Sequence, residues 1–433
     1  MEFTTIALSG TKIEKKVKIM VKLLILTDDF TGALDTGVQF SEKGIPTQVV
    51  VSKKWPRIDT ECEVLVIDVE TRHVSKENAY KIVYEICKEA LKQKISYIYK
   101  KTDSALRGNI GCEIQAVQDA YEGKKIVFLP AFPKMHRIVK KGILYIDEVP
   151  VTESVFGQDP FEPVQYDEVE EILRTTGYRN KVLNISEKQY HLEKEKADLL
   201  LFDTETENEL HDIAKVVKME CEVSVFAGCA GFAAELPEIL NLKAGKTWEY
   251  KTKANLIVIC GSVNPITRSQ LSYAEKRGIT KINLRPEEKM VKSYWDSKEG
   301  KEKIAQIVGN KGAHFIIDGN DKEGSNDTIM YVRAKNYDTQ EMRVRVSQTL
   351  GYLTKRLIDE GMDGTFLITG GDTLLGFMDT IGCNGLEPIK EICPGCVLAR
   401  LEYKNRDFYI ITKSGGFGQE TLIEKLINFL KEE

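Results

Sequence analysis

The segment Lys100–Asn109, KKTDSALRGN, decides the fold class, because it stands where an apolar run changes into a helical pattern. The residues before it, ISYIY, are typical of a β-strand, and the residues after it, IGCEIQAVQDAY, have the spacing of an amphipathic helix. In an open α/β sheet, polar residues at such a junction lie at the carboxyl end of a strand, where ligands bind. The segment therefore predicts an α/β fold with a ligand crevice at this position.

The alternation of strand and helix patterns extends in both directions from this segment. KLLILTDD and CEVLVIDVET, which precede it, predict strands, and TGALDTGVQFSEKG predicts a helix opened by Thr31 and closed by Gly44. SKENAYKIVYEICKEALKQK predicts a long helix with Ser75 as its N-cap. This rhythm predicts a mostly parallel sheet that is covered by helices on both faces.

A change in composition divides the chain into two units. NLKAGKTWEYKTKA, at 241–254, is polar and unpatterned, and a second series of alternating strands and helices follows it. The sequence thus predicts an N-terminal extension at 1–21, a first domain at 22–240 and a second domain at 254–433. The expected fold is two three-layer α/β domains whose mostly parallel sheets face each other across a central cleft.

The composition is that of an ordinary globular protein. The chain has 433 residues with a net charge of −5 and no long stripe of Lys and Arg, which argues against nucleic acid or an anionic membrane as the main partner. We recognise neither a signal peptide nor a membrane span, and the nine cysteines stand mostly singly inside apolar runs. A cytoplasmic location is therefore expected, and a homo-oligomer is left open.

Cysteine and histidine spacing does not favour a metal site. The CxxC motif at 393–396, CPGC, has no second CxxC and no suitably spaced histidines, so we interpret it as a Pro-Gly turn. His73 and His136 are single histidines near the predicted crevice, and their spacing does not indicate zinc.

Four polar clusters follow strands in the first unit, and a parallel sheet brings such ends to one edge. Cations at this edge suit a carboxylate, which Arg binds with two parallel hydrogen bonds, and acidic residues suit hydroxyl groups, Mg²⁺ or proton transfer. A small polyhydroxy acid would suit both the cations and the acidic residues. The alternative is that these residues are helix caps, Asp28 and Asp29 above all, and surface ion pairs. The cations are Arg72, Lys101 and Arg107, and the clusters are Thr27, Asp28, Asp29, Thr31 and Gly32; Asp68, Glu70, Thr71 and Arg72; Lys100–Asn109 with Asp103; and PAFPKMHR at 130–137.

Three glycine-bearing turns follow strands in the second unit. The first two lead straight into helices, whose free N–H groups and dipole favour phosphate, and glycine allows close approach of the backbone. Together they predict a nucleotide site that is neither a P-loop nor a dinucleotide fingerprint. The alternative is that the glycines only allow tight turns after the strands, with Asp372 as a turn aspartate. The turns are CGSVNPIT with Gly261 and Ser262, TGGDTLLG with Gly370 and Gly371, and KSGGFGQET with Gly415, Gly416 and Gly418.

Six motifs, in order along the chain, resemble those of the four-carbon acid sugar kinases: LTDDFTGALD, KKTDSALRGN, PAFPKMHR with the later EVPVTESVFGQDP, GSVNPITRSQ, TGGDT and KSGGFG. The resemblance runs from about Lys22 to the C-terminus. It implies a kinase whose N-terminal domain binds a sugar acid and whose C-terminal domain binds ATP. Threonate, erythronate and 3-oxo-tetronate kinases belong to this family, and the motifs alone do not separate them.

The resemblance also assigns residues. It places the sugar acid on Asp28, Arg72, Lys101, Thr102, Asp103 and Ser104, and ATP on Ser262, Gly370, Gly371, Asp372, Thr373 and Gly416. Three positions depart from the family pattern: Ala105 stands where Thr is usual, His136 where Gly is usual, and Asp372 where Glu is commoner. The first two border the substrate side and therefore bear on which acid is used.

The sequence thus predicts a kinase that moves the γ-phosphoryl group of ATP, with Mg²⁺ on the phosphates, to the terminal hydroxyl of a small sugar acid. Arg72, Lys101 and Arg107 are expected to hold the acid, and Asp28 or Asp29 to orient or deprotonate the hydroxyl. No protein ligand of Mg²⁺ is assigned. Two alternatives stay open at this point: a regulatory protein that binds the acid and nucleotide without turnover, and an NAD(P)-dependent oxidoreductase acting on a hydroxy acid.

Overall fold

A computed structural model of the chain describes residues 21–58, 61–158, 163–219, 223–245, 248–310 and 312–432. The predicted N-terminal extension lies, but for Val21, outside these residues, as do Asp159 and Pro160 of the third motif. A search of the described helices found none that is long and apolar enough to cross a membrane.

Eighteen strands occur among the described residues. In chain order they are β1 Leu23–Thr27, β2 Thr47–Val51, β3 Val64–Asp68, β4 Tyr97–Lys101, β5 Ile126–Leu129, β6 Arg137–Lys140, β7 Ile143–Ile146, β8 Val149–Pro150, β9 Val182–Ile185, β10 Leu199–Phe202, β11 Val225–Gly228, β12 Leu256–Cys260, β13 Thr280–Asn283, β14 Phe315–Asp318, β15 Thr365–Thr369, β16 Gly385–Cys393, β17 Cys396–Tyr403 and β18 Arg406–Lys413.

Fifteen α-helices occur in the same part of the chain. They are α1 Phe30–Ser41, α2 Lys76–Lys92, α3 Ile110–Ala120, α4 Val169–Thr175, α5 Tyr190–Glu193, α6 Glu207–Met219, α7 Ala230–Ala233, α8 Leu236–Ile239, α9 Pro265–Lys276, α10 Pro286–Met290, α11 Lys298–Gly309, α12 Asp327–Lys335, α13 Thr339–Asp359, α14 Gly371–Ile381 and α15 Leu422–Glu432.

The strands form a 15-stranded sheet and a small antiparallel sheet of β6, β7 and β8. The large sheet has the order β13-β14-β12-β15-β18-β17-β16-β2-β3-β1-β4-β11-β5-β10-β9. Its pairs are parallel except at β18-β17, β17-β16 and β16-β2. The α/β class and the mostly parallel sheets are therefore confirmed.

The two series of strands are joined edge to edge, which the sequence did not indicate. Gly385 and Leu386 of β16 pair with Val50 and Val49 of β2, so one sheet runs through the molecule. We call the part of the chain up to α8 the first half and the part from β12 onward the second half. The boundaries at 240 and 254 stay a prediction.

Alternate residues of the strands enter different hydrophobic cores, as a sheet covered on both faces requires. Leu23 and Ile25 of β1 belong to one core, whereas Leu24 belongs to a second core on the other face. Ile257 of β12 belongs to the same core as Leu23, so this core extends through both halves. The structure thereby fixes the two halves against each other by packing as well as by pairing.

The N-cap predicted from the sequence is confirmed in one helix and lies at a different residue in another. The Ser75 side chain accepts a hydrogen bond from the Asn78 N–H and caps α2, as predicted. Helix α1 is capped by Asp29, whose side chain accepts from the Gly32 N–H, so it begins before the expected Thr31 and its last residue is Ser41. The Pro-Gly turn between Cys393 and Cys396 is present and joins β16 to β17.

Candidate active site

The carboxyl ends of β1, β3 and β4 bring the first-half clusters together. Thr27 lies opposite Asp68 in the parallel pair of β1 and β3, and Leu26 lies opposite Lys100 in the pair of β1 and β4. Residues that follow these strands therefore share one edge of the sheet, as the sequence predicted. We call this group of residues the acid cluster: Asp28, Asp29, Arg72, Lys101, Thr102, Asp103, Ser104 and Arg107.

Arg72 stands at the centre of the acid cluster. Its Nε donates to Asp28 Oδ2 at 2.7 Å, and its Nη1 and Nη2 donate to the two carboxylate oxygens of Asp29 at 3.0 and 2.8 Å. Nη2 also lies 3.6 Å from Asp103 Oδ1. One guanidinium thus fixes three carboxylates, which gives the cluster a rigid frame.

Charge compensation in this frame overcomes the cost of burial. Burial opposes ionisation of Asp28, but the charges of Arg72, Lys100 and Lys101 outweigh it and hold its pKa below the usual value. Burial likewise disfavours the charged form of Arg72, yet Asp28, Asp29 and Asp103 raise its pKa well above the usual value. Asp28 and Arg72 are therefore ionised at neutral pH.

The segment Lys100–Asn109 forms a tight turn that is organised by Asp103. Asp103 Oδ2 accepts from the N–H groups of Ala105 and Arg107, and the Arg107 side chain binds both carboxylate oxygens through Nε at 3.0 Å and Nη2 at 2.9 Å. Burial opposes ionisation of Asp103, but Arg107 and Arg72 hold its pKa well below the usual value. Two arms of the Arg107 fork thus bind Asp103.

The turn is fastened to its neighbour by Asn109. The Asn109 side-chain amide donates to the carbonyl oxygens of Thr71 and Val74, both at 2.8 Å. Leu106 and Gly108 have positive φ values of 58° and 86°, so the turn between Asp103 and the start of α3 contains two left-handed residues. This geometry keeps the turns after β3 and β4 in one position relative to each other.

The two lysines of the segment differ in their partners. Lys100 is buried and forms an ion pair of 2.9 Å with the buried Glu113. Lys101 is also buried, but its Nζ donates to the Thr102 carbonyl at 2.8 Å and, within the described residues, has no carboxylate within 4.0 Å. Lys101 therefore keeps capacity for an anion.

Several polar atoms of the cluster have no partner in the described part of the chain. They include Thr27 Oγ1, Asp28 Oδ1 and Thr102 Oγ1, all of which are buried. Ser104 is half-buried, and no described residue contacts its hydroxyl by a hydrogen bond. Buried polar atoms are normally paired, so the described chain leaves these three atoms unsatisfied, and of the four residues Ser104 is the one that is partly open to solvent.

Two residues beside the cluster were not singled out from the sequence. The Asp35 carboxyl lies on α1 near Lys101 and Asp29, and burial, opposed by Lys101, raises its pKa to about 7. The guanidinium of Arg137, at the start of β6, lies 5.2 Å from the ring centroid of Phe156 and 5.5 Å from that of Phe417. Asp35 looked like an ordinary helix residue, and Arg137 stood inside PAFPKMHR without an assigned partner.

The first and third glycine turns of the second half are packed on each other. Asn264 caps α9 by accepting from the Ile266 N–H at 2.9 Å, which leaves the start of this helix next to Ser262. Lys413 Nζ donates to Thr267 Oγ1 at 2.9 Å and to the carbonyls of Ser414 and Gly415. Burial lowers the pKa of Lys413 to about 8.

The second glycine turn opens α14 directly. Gly370 has a φ of 100°, a conformation that favours glycine, and it precedes the first residue of the helix. Thr373 packs on Gly261, where a Cβ would stand 1.9 Å from its hydroxyl oxygen, so Gly261 has no room for a side chain. Asp372 is exposed and pairs with Arg343 at 3.1 Å. Ser262, Gly370, Gly371, Asp372, Thr373 and Gly416 thus line one region, which we call the turn cluster.

The acid cluster and the turn cluster meet. A Cβ on Gly371 would stand 3.1 Å from Thr31 Oγ1, so the starts of α14 and α1 are in contact. On the other side, Arg137 of the first half faces Phe417, which lies in the third glycine turn. The site is therefore a seam between the halves, with cations and carboxylates on one side and helix N-termini on the other.

The side chains that the structure describes at this seam do not form a metal site. Among the described residues, no group of three or more His, Cys, Asp or Glu side chains is arranged to hold a metal ion. Asp28 and Asp29 are bound by Arg72, and Asp372 is bound by Arg343. A divalent cation at the seam would therefore need ligands from a bound phosphate and water.

Comparison with known proteins identifies both halves. Residues 23–236 match a family model described as a sugar-binding N-terminal domain, and residues 257–423 match one described as a nucleotide-binding C-terminal domain. The acid cluster lies within the first matched range and the turn cluster within the second.

Curated relatives match along nearly their whole length. A D-threonate kinase of Salmonella typhimurium is 27% identical over 95% of this chain and 99% of the relative. A D-erythronate kinase of Heliobacterium modesticaldum is 24% identical, with 95% and 97% covered, and a 3-oxo-tetronate kinase of Haemophilus influenzae is 23% identical, with 92% and 98% covered.

Solved structures share the fold. A Salmonella typhimurium LT2 protein, provisionally called a tRNA synthase, has a TM-score of 0.78 at 20% identity and covers 94% of this chain and 99% of its own. Haemophilus influenzae protein HI1011 has a TM-score of 0.70 at 18% identity, with 94% and 100% covered. At such identities the likeness concerns the fold alone.

Proposed function

Because the chain belongs to the four-carbon acid sugar kinase family, we propose that it transfers the γ-phosphoryl group of ATP to the terminal hydroxyl of a small sugar acid. The observation that carries this proposal is the contact of Gly371 with Thr31, since it brings the start of a phosphate-binding helix to the edge of the acid cluster. A kinase needs donor and acceptor side by side, and catalysis is then mostly positioning and charge neutralisation.

The acid cluster suits the acceptor. We assign the carboxylate of the acid to Lys101, which has no carboxylate partner in the described part of the chain, and to the Nη1 arm of Arg107. Thr102 and Ser104 would bind its hydroxyls. Asp28, Asp103 and Arg72 hold this arrangement rigid, so that little ordering free energy is lost when the acid binds.

The attacking hydroxyl requires a proton acceptor, and of the two predicted candidates Asp29 is the better placed. Its side chain is 27% exposed, whereas that of Asp28 is 0% exposed behind Arg72. In the proposed step the hydroxyl oxygen forms a bond to Pγ while the bond from Pγ to the β-phosphate oxygen breaks. The hydroxyl proton passes to Asp29, and the products are ADP and a phosphate monoester.

The turn cluster suits the donor. Helix α14 starts there, so its first N–H groups and its dipole would stabilise phosphate oxygens. At the start of α9, Pro265 has no N–H and the Ile266 N–H is bound by Asn264, so this helix would contribute its dipole. Ser262, Gly370–Thr373 and Gly416 are the residues that we assign to ATP. Mg²⁺ would be bound by phosphate oxygens and water. Closure of the seam on both substrates would exclude water from the transfer.

A screen for ADP release tests the proposal. The acceptors are aldonates of three to six carbons and their 3-oxo forms, with four-carbon acids expected to be best, as the names of the relatives suggest. A neutral four-carbon polyol is the matched control and should be poor, because a buried Lys101 would then lack its anion. Equal ADP release with the polyol, or none with any acid, would contradict the proposal.

A further inference from the structure

Arg137 is a buried cation that no carboxylate of the described chain neutralises. The residue is 8% exposed, its Nε is buried without a hydrogen-bond partner, and its guanidinium makes neither a hydrogen bond nor an ion pair with any described residue. Leaving a charged donor buried and unpaired costs free energy that the protein does not recover from its own contacts. Such a group indicates an anionic ligand.

The two aromatic contacts of Arg137 give its location. The centre of the guanidinium is 5.2 Å from the ring centroid of Phe156 in the first half and 5.5 Å from that of Phe417 in the second half. Phe417 lies between Gly416 and Gly418, in the glycine turn assigned to the nucleotide. Arg137 therefore stands where the two clusters meet, within cation–π distance of one ring from each half.

Neighbouring charges do not remove the need for an anion. Burial lowers the pKa of Arg137, although Asp103 opposes this effect, but an arginine remains charged. Asp103 already binds two arms of Arg107 and lies near Arg72, so its charge is taken up. Arg107 adds a second positive charge to the same side of the seam.

We propose that Arg137 binds the phosphoryl group while it moves between ATP and the sugar acid. This inference rests on the proposed function and assigns to it a residue that the sequence motifs did not. An arginine at the transferred group stabilises charge on the phosphoryl oxygens in the transition state. The rings of Phe156 and Phe417 lie 5.2 and 5.5 Å from the guanidinium, so one contact from each half would help to hold the fork at the transferred group.

The test compares Arg137→Gln and Arg137→Lys with the wild-type enzyme. We expect Arg137→Gln to lower kcat on the order of 10³-fold, as other phosphoryl-binding arginines do, with the KM of the sugar acid changed less than about threefold. Arg137→Lys, which keeps the charge and loses the fork, should be intermediate. The control is Arg345→Gln, since Arg345 is a half-buried arginine that pairs with Glu341, lies over the Tyr337 ring and has no assigned role in the site.

A binding measurement separates this inference from the proposed function, because it needs no turnover. Calorimetry with ADP and with a non-hydrolysable ATP analogue should show that Arg137→Gln weakens the analogue about tenfold or more while ADP binds as in the wild type. Equal loss for both nucleotides together with a lower Tm would overturn the proposal, since Arg137 would then only support the turn. A higher KM for the acid at unchanged kcat would also overturn it, since Arg137 would then bind the carboxylate.

Discussion

Gly371 of the second half lies against Thr31 of the first half, and a Cβ on Gly371 would stand 3.1 Å from the Thr31 hydroxyl oxygen. Both residues belong to the first turns of their helices, α14 and α1. The start of α14, which has no side-chain cap, therefore meets the start of α1, which Asp29 caps. This contact between the halves coincides with the region where donor and acceptor meet in the proposed reaction.

Gly371→Ala should lower kcat/KM for ATP by about tenfold to a hundredfold, because a methyl group at the start of α14 would keep a phosphate from approaching the backbone N–H groups there. Steady-state kinetics and a melting curve measure it. Gly309→Ala is the matched control, since no atom lies within 4 Å of its added Cβ. Adding Thr31→Ala to Gly371→Ala should leave the defect. Full recovery would mean that Gly371 serves only the packing of the halves.

Gly416→Val should weaken binding of an ATP analogue about tenfold or more and leave the Tm nearly unchanged. The nearest atom to a Cβ at this position is Asn264 Nδ2 at 3.7 Å, so the fold has room for a side chain that a bound phosphate would not tolerate. At Gly415 a Cβ would stand 2.8 Å from Ser262 Oγ, so Gly415→Val should lower the Tm instead. Unchanged affinity in Gly416→Val would remove this turn from the nucleotide site.

Arg107→Lys should reduce kcat/KM for the sugar acid by about 1–3 kcal/mol in activation free energy, with a small change in Tm. Lysine keeps the charge but cannot bind Asp103 at two points and the substrate with a third arm, and it also loses the flat contact with Phe156. Kinetics and melting of Arg345→Lys provide the comparison. If the Tm falls and kinetics stay near wild type, Arg107 is structural and the acid must be held by other cations.

Asp35 should make stability depend on pH between about 4 and 7. Burial raises its pKa from 3.8 to about 7, so in this window the folded chain keeps a proton that the unfolded chain has released. Its contribution is present below pH 4 and is lost as the pH rises through 7. Urea unfolding should therefore show a shallower decline for Asp35→Asn than for the wild type. An identical decline, with the exposed Asp327→Asn as control, would contradict the pKa.

Local signals carried most of what the sequence could predict. The alternation of strand and helix patterns predicted the α/β class. The polar residues after β1, β3 and β4 predicted the acid cluster, because parallel strands bring their carboxyl ends together whatever the order of pairing. Ser75 was recognised as a cap from its own neighbourhood. The start of α1 was misplaced because Asp29 and Thr31 both have capping side chains, and only the hydrogen bond to Gly32 decides between them.

The features that the sequence did not predict depend on contacts between residues that are far apart in the chain or on the conformation of a turn. The junction of β2 with β16 joins residues far apart in the sequence, and nothing in TQVVV marks its partner. The isolation of Arg137 depends on which rings lie around it, and Phe417 is contributed by the other half. The spacing of Asp103 and Arg107 is compatible with an ion pair. Whether the Arg107 guanidinium binds the substrate or Asp103 depends on the conformation of the turn, which contains the left-handed residues Leu106 and Gly108.

The junction of β2 with β16 has a consequence for dissecting the molecule. Cutting the chain between the halves would expose both strands as unpaired edges, together with the shared core that contains Leu23 and Ile257. Separately produced fragments should therefore aggregate when alone and recombine when mixed. The two fragments could therefore serve as a complementation pair whose activity returns when they recombine. The antiparallel register of Val50 and Gly385 would select the correct partner.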